Sequence, residues 1–239
     1  MRITLAQIAP KLNRSNLANT LKIINEIKQS SDLIVFPELS LNGYMLQDKL
    51  YEDAYSLEEL NVLKELSKEI DIVVGAAISD KSDEYKNSAL YFSQGEIVTK
   101  HDKVHLPNYG MFEEARYFSA GDSFSSFYVK DIKISMAVCE DLWHQSTIDK
   151  LSKMSVDLVI VLAASPARGF NDDGLEIEDK WYEILRTCAK ECNAKVIFVN
   201  RVGFEDGLGF WGGSCIVDEN QTDIAKLPRY KSIIKTFKI

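Results

Sequence analysis

The chain has 239 residues, 46% of them hydrophobic and 27% charged, and a formal net charge of −8. That length suits one large domain with a substantial core, and so ordinary a composition excludes a disordered chain, a fibrous repeat or a disulfide scaffold. The acidic balance offers nothing to attract nucleic acid or an anionic membrane as a partner.

The opening run MRITLAQIAP is predicted as a strand over residues 2–8, and it lacks the longer apolar core of a signal peptide. Leu17, Leu21, Ile24 and Ile27 then repeat at helical spacing and give the next element one apolar face. Residues 32–36 read as a buried strand ended by Pro37. Ser56 with Glu59 three residues later forms a capping box, ahead of a helix that buries Leu60, Leu63 and Leu66. A strand follows over 72–78, and residues 89–92 and 96–100 form a hairpin through Ser93-Gln94-Gly95.

Residues 103–122 make a loop that is long for a compact domain and therefore a functional suspect. The second half repeats the alternation: strand 132–138, helix 146–154, strand 157–162, helix 178–192, then strands 195–199 and 213–217. From Asp223 onward only residues 233–237 suggest a last strand. Alternating strands and helices with hairpins indicate an α/β domain with mixed sheets. No linker divides the chain, so residues 1–239 are read as a single domain. No stretch reaches the roughly 18 uncharged apolar residues of a membrane span. The four cysteines, Cys139, Cys188, Cys192 and Cys215, show no zinc-type pairing, and a cytoplasmic protein with reduced thiols is expected.

Three segments break the pattern of ordinary packing. In FPEL, Glu38 follows a buried strand and a proline, the edge at which α/β folds place ligand sites; alternatively it caps the next segment or faces solvent. In KVHLPNYGMFEEARYF, Lys103 shares its loop with Leu106, Tyr109, Met111, Phe112, Tyr117 and Phe118, which suggests a loop folded inward to wall a pocket. In VCEDLW, Cys139 stands between a buried strand and a helix start, where a helix N-terminus favours thiolate; alternatively it is a small buried hydrophobe.

Together, in this order and with these flanks, the segments resemble the nitrilase superfamily of carbon–nitrogen hydrolases. NRVG at 200–203 and GFWGGS ending at Ser214 add to the match. A finer resemblance is to the glutaminase domain of glutamine-dependent NAD synthetases, in which Tyr109 and Glu114 match pocket residues. The resemblance implies a four-layer α–β–β–α sandwich of two mixed sheets with outer helices. It also implies a Glu38–Lys103–Cys139 triad with Glu114 as a second carboxylate, and a homodimer or larger homo-oligomer. The 239 residues contain no Ser-Gly-Gly phosphate loop, so NAD synthesis by this chain alone is not expected; supplying ammonia to a separate synthetase stands as an alternative to a free amidase.

The chemistry is coherent. A thiol nucleophile splits amide cleavage into acylation and deacylation. Glu38 moves the proton from thiol to amine and later activates water, while Lys103 and a backbone N–H near residue 140 stabilise the oxyanion. The expected substrate is a small carboxamide, with glutamine first, and the alternatives are an N-carbamoyl compound or a nitrile. Neither cofactor nor metal is expected. His144 offers a rival Cys–His dyad, and His101 with His105 a weak zinc pair. Cys188 and Cys192 belong to the buried face of their helix. Trp143, Ser165, Arg168, Phe170 and Trp211 are pocket candidates, with core or rim as the alternative. Arg168 either meets a substrate carboxylate or pairs with Asp172 or Asp173.

Overall fold

Two six-stranded sheets packed face to face frame the computed structural model, which describes residues 1–79, 84–172 and 174–239. The first half supplies β1 (Arg2–Gln7), β2 (Leu33–Val35), β3 (Asp71–Ser79), β4 (Tyr85–Ser93) and β5 (Glu96–Asp102). Next come β6 (Ser126–Val129), β7 (Ile132–Val138), β8 (Leu158–Ala163) and β9 (Lys195–Asn200). The rest are β10 (Val202–Glu205), β11 (Leu208–Trp211), β12 (Cys215–Val217), β13 (Asp223–Lys226) and β14 (Ile233–Lys238). The helices are α1 (Asn16–Ile27), α2 (Leu50–Asp53), α3 (Asn61–Leu66), α4 (Glu114–Tyr117), α5 (Gln145–Ser152) and α6 (Glu176–Cys192).

One sheet has the order β14-β1-β2-β3-β4-β5 and the other β13-β12-β9-β8-β7-β6, while β10 and β11 form a separate hairpin. The centres, β1-β2-β3 and β7-β8-β9, are parallel, and the outer pairs are antiparallel. Strand periodicity sorts the side chains into layers. In β8, Leu158, Ile160 and Leu162 enter the core between the sheets. The alternate residues Val159, Val161 and Ala163 pack under α5 and α6. In β3, Val73 faces the other sheet while Ile72 and Val74 pack under α1 and α3. Central strands covered on both faces are apolar throughout, which is why they read as continuous runs. The result is the four-layer α–β–β–α sandwich, and no helix is long and apolar enough to cross a membrane among the described residues.

The elements differ from expectation mainly at their ends. The capping box forms, with Ser56 N–H donating to Glu59 at 2.8 Å, but the first turn after it is 3-10 (Glu58–Leu60) before α3 begins. The hairpin strands β4 and β5 are longer than predicted because the sheet pairing runs on to Tyr85 and Asp102. The β10–β11 hairpin was not anticipated, although its Asp206-Gly207 tip, with φ of 47° and 79°, is the favoured two-residue turn. The tail supplies β13 as well as β14.

The parallel centres bring the C-terminal ends of β2, β7 and β8 to one edge, where β5 also ends. Gly75 in β3 allows the closest approach there. A Cβ at Gly75 would lie 2.5 Å from Leu39 N and 2.8 Å from Glu38 Cα. Gly75→Ala is therefore expected to push the Glu38 turn outward and destabilise the fold by about 1–3 kcal/mol. Urea unfolding measures the loss, and a wild-type midpoint would contradict this packing.

Candidate active site

Four chain segments deliver polar side chains into this edge. The turn after β2 places Glu38, with Leu39 held at φ 48°. Lys103 directly follows β5, its N–H donating to Asn87 O at 2.8 Å and its carbonyl accepting Gly121 N–H at 2.8 Å. Glu114 opens α4, its N–H bound to Pro107 O at 3.1 Å. Cys139 directly follows β7 and takes a left-handed φ of 45°. A left-handed, non-glycine residue stores of order 1–3 kcal/mol and persists only where its surroundings hold it.

At the centre lies the Lys103 ammonium, fully buried, donating to Glu38 Oε1 and to Glu114 Oε1 at 2.8 Å each. Asn87 Nδ2 donates to Glu38 Oε1 at 2.8 Å, and Ala164 N–H to Glu38 Oε2 at 2.7 Å, so the second sheet also grips this carboxylate. Tyr44 OH donates to Glu114 Oε1 at 2.6 Å, whereas Glu114 Oε2 is buried with no partner among the described residues. Burial disfavours the Lys103 charge, but the two carboxylates overcome it and hold its pKa well above the usual value. Burial, with Glu38 beside it, raises Glu114 despite Lys103 and Tyr44.

Burial also pushes the Cys139 thiol well up, reinforced by Glu38 and opposed by Lys103. This corrects the expectation of a helix-stabilised thiolate. The segment Cys139–Trp143 is a 3-10 turn, the next α-helix begins only at Gln145, and the nearby carboxylates oppose a second negative charge. The resting group is a thiol that needs a base.

Asp141 is a structural residue that sequence reading missed. Fully buried, it accepts N–H groups from Val138, Val104 and His105 at 2.9 Å each, and His101 Nε2 lies 2.8 Å from its Oδ2. It thus ties the cysteine turn to the lysine loop. Its only sequence signal was an acid three residues after the strand end, which looks like any helix start. Burial raises Asp141, but the His101 hydrogen bond, the His101 charge and the backbone donors outweigh it and leave the pKa lowered. A lowered folded pKa gives stability that is present above the unfolded value near 3.8 and lost as pH falls through the folded value. Asp141→Asn is expected to cost about 1.5–3 kcal/mol at neutral pH and to shrink the acid-side loss of stability. Urea titrations at pH 7 and in the acid range test both, and an unchanged acid-side slope would contradict this role.

The remaining candidates separate. Tyr109, Trp143 and Arg168 line one surface cleft with Gly169, Glu176, Ile177 and Lys180. Tyr109 OH donates to Glu140 at 2.9 Å, next to Cys139. Arg168 lies 5.4 Å over the Phe112 ring, and its buried Nε has no partner among the described residues. Among the described residues Arg168 forms no ion pair with Asp172; Asp173 lies outside them. Ser165 is buried, and its hydroxyl accepts the indole N–H of Trp181 at 2.9 Å and of Trp211 at 3.3 Å, a packing role. Trp211 is likewise core, and Phe170 is exposed. Asn200 and Ser214, from the two supporting motifs, lace the strand ends: Asn200 Oδ1 accepts Ser165 N–H, and Ser214 Oγ accepts Asn200 N–H.

The rival arrangements find no support in the geometry. His144 is half exposed, stacks on His105 with ring centroids 3.8 Å apart, and reaches Glu140 at 3.9 Å. His101 spends its Nε2 on Asp141. Cys188 and Cys192 lie on the buried face of α6, as expected.

Comparison with known proteins agrees with this architecture. The carbon-nitrogen hydrolase family profile matches residues 2–236. A glutamine-dependent NAD(+) synthetase of Acinetobacter baylyi is 32% identical over 237 residues, 96% of this chain and 42% of that protein. The chain therefore spans less than half the length of this relative. The solved glutamine-dependent NAD+ synthetase of Acinetobacter baumannii, in complex with ADP, superposes with a TM-score of 0.86 at 29% identity, covering 98% of this chain and 44% of that one. A carbon-nitrogen hydrolase of Helicobacter pylori shares the fold with a TM-score of 0.89 at 23% identity, covering 98% of this chain and 87% of that one. The strands that bring Glu38, Lys103 and Cys139 to one edge are thus the frame of a known enzyme class, and the chain is a member of the carbon-nitrogen hydrolase family.

Proposed function

We propose that this enzyme hydrolyses a small carboxamide, with glutamine the first candidate, through a thioester on Cys139. The observation that carries the reading is the buried Lys103 ammonium held by Glu38 and Glu114 beside Cys139, which is partly exposed while Cys188, Cys192 and Cys215 are buried. Of the Glu38 oxygens, Oε2 receives only the Ala164 N–H and keeps a lone pair for the thiol proton.

In the first step Cys139 Sγ bonds to the amide carbon as its proton passes to Glu38. The oxyanion forms against Lys103 and the backbone N–H of residue 140. Collapse breaks the C–N bond, the proton moves from Glu38 to nitrogen, and ammonia leaves. Glu38 then takes a proton from water, which attacks the thioester and returns the free thiol with a carboxylic acid product. Glu114 orients Lys103, and its unpartnered Oε2 supplies an acceptor for a substrate N–H.

Arg168 suits the α-carboxylate of glutamine: it lines the cleft beside Tyr109 and Trp143 with its Nε unpartnered. The relatives named as glutamine-dependent NAD(+) synthetases support a role in delivering ammonia to a synthetase activity. Assembly as a homodimer, implied by the family resemblance, belongs to the same reading.

Cys139→Ala is expected to abolish turnover without loss of fold, and Lys103→Ala to slow it roughly 100- to 1000-fold. Arg168→Ala should raise KM for glutamine about ten- to hundredfold while leaving an uncharged amide little affected, since only glutamine loses an ion pair. Steady-state ammonia release reads all three. Full activity in Cys139→Ala would overturn the mechanism. Brisk cleavage of N-carbamoyl or aliphatic substrates with none of glutamine would overturn the substrate alone.

A further inference from the structure

A short chain of contacts leads from the β10–β11 hairpin to Lys103. Arg201 Nη1 donates to Glu205 Oε2 at 2.9 Å, both side chains being buried. The other oxygen, Glu205 Oε1, accepts the successive N–H groups of Tyr44 and Met45 at 2.6 and 2.5 Å. Two adjacent backbone donors on one anionic oxygen make a cradle that fixes the local turn. That turn carries Tyr44, whose hydroxyl donates to Glu114 Oε1 at 2.6 Å, the same oxygen that receives Lys103 Nζ at 2.8 Å.

The surrounding packing commits the pair to this place. Gly43 has φ 90°, and a Cβ there would lie 2.9 Å from Glu205 Oε2 and 2.7 Å from Lys11 O. Arg201 is held by Pro10 O at 3.1 Å and by the Phe210 ring at 4.1 Å. A buried ion pair is a weak source of stability, because well-packed apolar residues of similar volume often do as well. What the Glu205 carboxylate supplies is an acceptor at a defined point, 161 residues along the chain from the N–H it holds.

We infer that Glu205 is a positioning residue: through Tyr44 and Glu114 it fixes the place of Lys103 Nζ beside Cys139. The inference rests on the Lys103–Cys139 reading proposed above. If Glu205 only stapled the hairpin to residues 43–45, its loss would lower stability and leave the reactivity of the folded site alone.

The test is alkylation of Cys139 by iodoacetamide, followed by mass spectrometry with the melting temperature measured in parallel. It needs no substrate, and the other cysteines are buried. Glu205→Ala and Tyr44→Phe are each expected to lower the alkylation rate by at least about fivefold, and the double variant by no more than the larger single effect, since both act through one link. The pair R201M/E205Q keeps an acceptor for the two N–H groups and should recover most of the lost rate. kcat for an amide substrate should follow the same order, with KM moving less. Multiplicative single effects, or a lower melting temperature with wild-type alkylation, would overturn the inference. Should Glu205→Ala not fold, Tyr44→Phe decides alone, because wild-type alkylation there removes the link. Absence of amide turnover in every form, alongside the expected alkylation pattern, would sink the functional reading and leave the positioning role standing.

Discussion

An ammonium taken wholly out of water is among the least favourable things a fold can contain, and here Lys103 is held between two carboxylates at 2.8 Å each. Desolvation costs several kcal/mol per ion, and only close, well-aligned partners offset it. Glu38, Glu114 and Lys103 therefore have to be brought together by rigid elements, and so do the groups that hold the carboxylates in turn. Asn87 and the Ala164 N–H serve Glu38, and Tyr44 serves Glu114. The excess of negative charge around one cation has a chemical consequence. Burial is the larger cause, and this excess adds to it in opposing ionisation of the Cys139 thiol, so that a proton acceptor is required at the moment of attack.

The two sheets meet that demand through their shared edge. Parallel strands at the centre of each sheet end side by side, and the residues immediately after β2, β5, β7 and β8 are Phe36, Lys103, Cys139 and Ala164. Asp141 binds the turn after β7 to the loop after β5, while the Ala164 N–H binds the edge of β8 to Glu38 from β2. The site is thus a seam between the sheets, and its geometry is inherited from the sandwich. Gly75 shows how tight the seam is, since a single methyl group there would meet the backbone of residues 37–39.

Much of this was legible in the sequence. The central strands announced themselves as apolar runs because both faces are covered; Glu38 and Cys139 drew notice at strand ends and Lys103 in a loop rich in apolar residues, and the family resemblance joined the three as a triad. The fold class was read partly from alternation and partly from resemblance. What stayed hidden has physical reasons. Asp141 and Tyr44 act through partners distant in sequence: Asp141 joins residues 36 to 40 positions back, and Tyr44 bonds to Glu114 across 70. Tyr44 leaves no local pattern, and the one local signal of Asp141 looks like any helix start. Arg201 and Glu205 lie at i and i+4, which suggests a solvated pair, whereas the strands place them in the interior. Ser165 looked like a pocket hydroxyl after a buried strand, but two indoles claim it.

The covalent intermediate is the central claim, and it has a direct measurement. Protein mixed with glutamine and other small amides is quenched in acid within the first turnovers, and its intact mass and its Cys139 peptide are determined. The expected result is a species heavier by the substrate less one ammonia, carried on Cys139, decaying as ammonia-forming turnover ends. Ammonia release with Cys139 unmodified at every quench time, or an adduct confined to another residue, would contradict it.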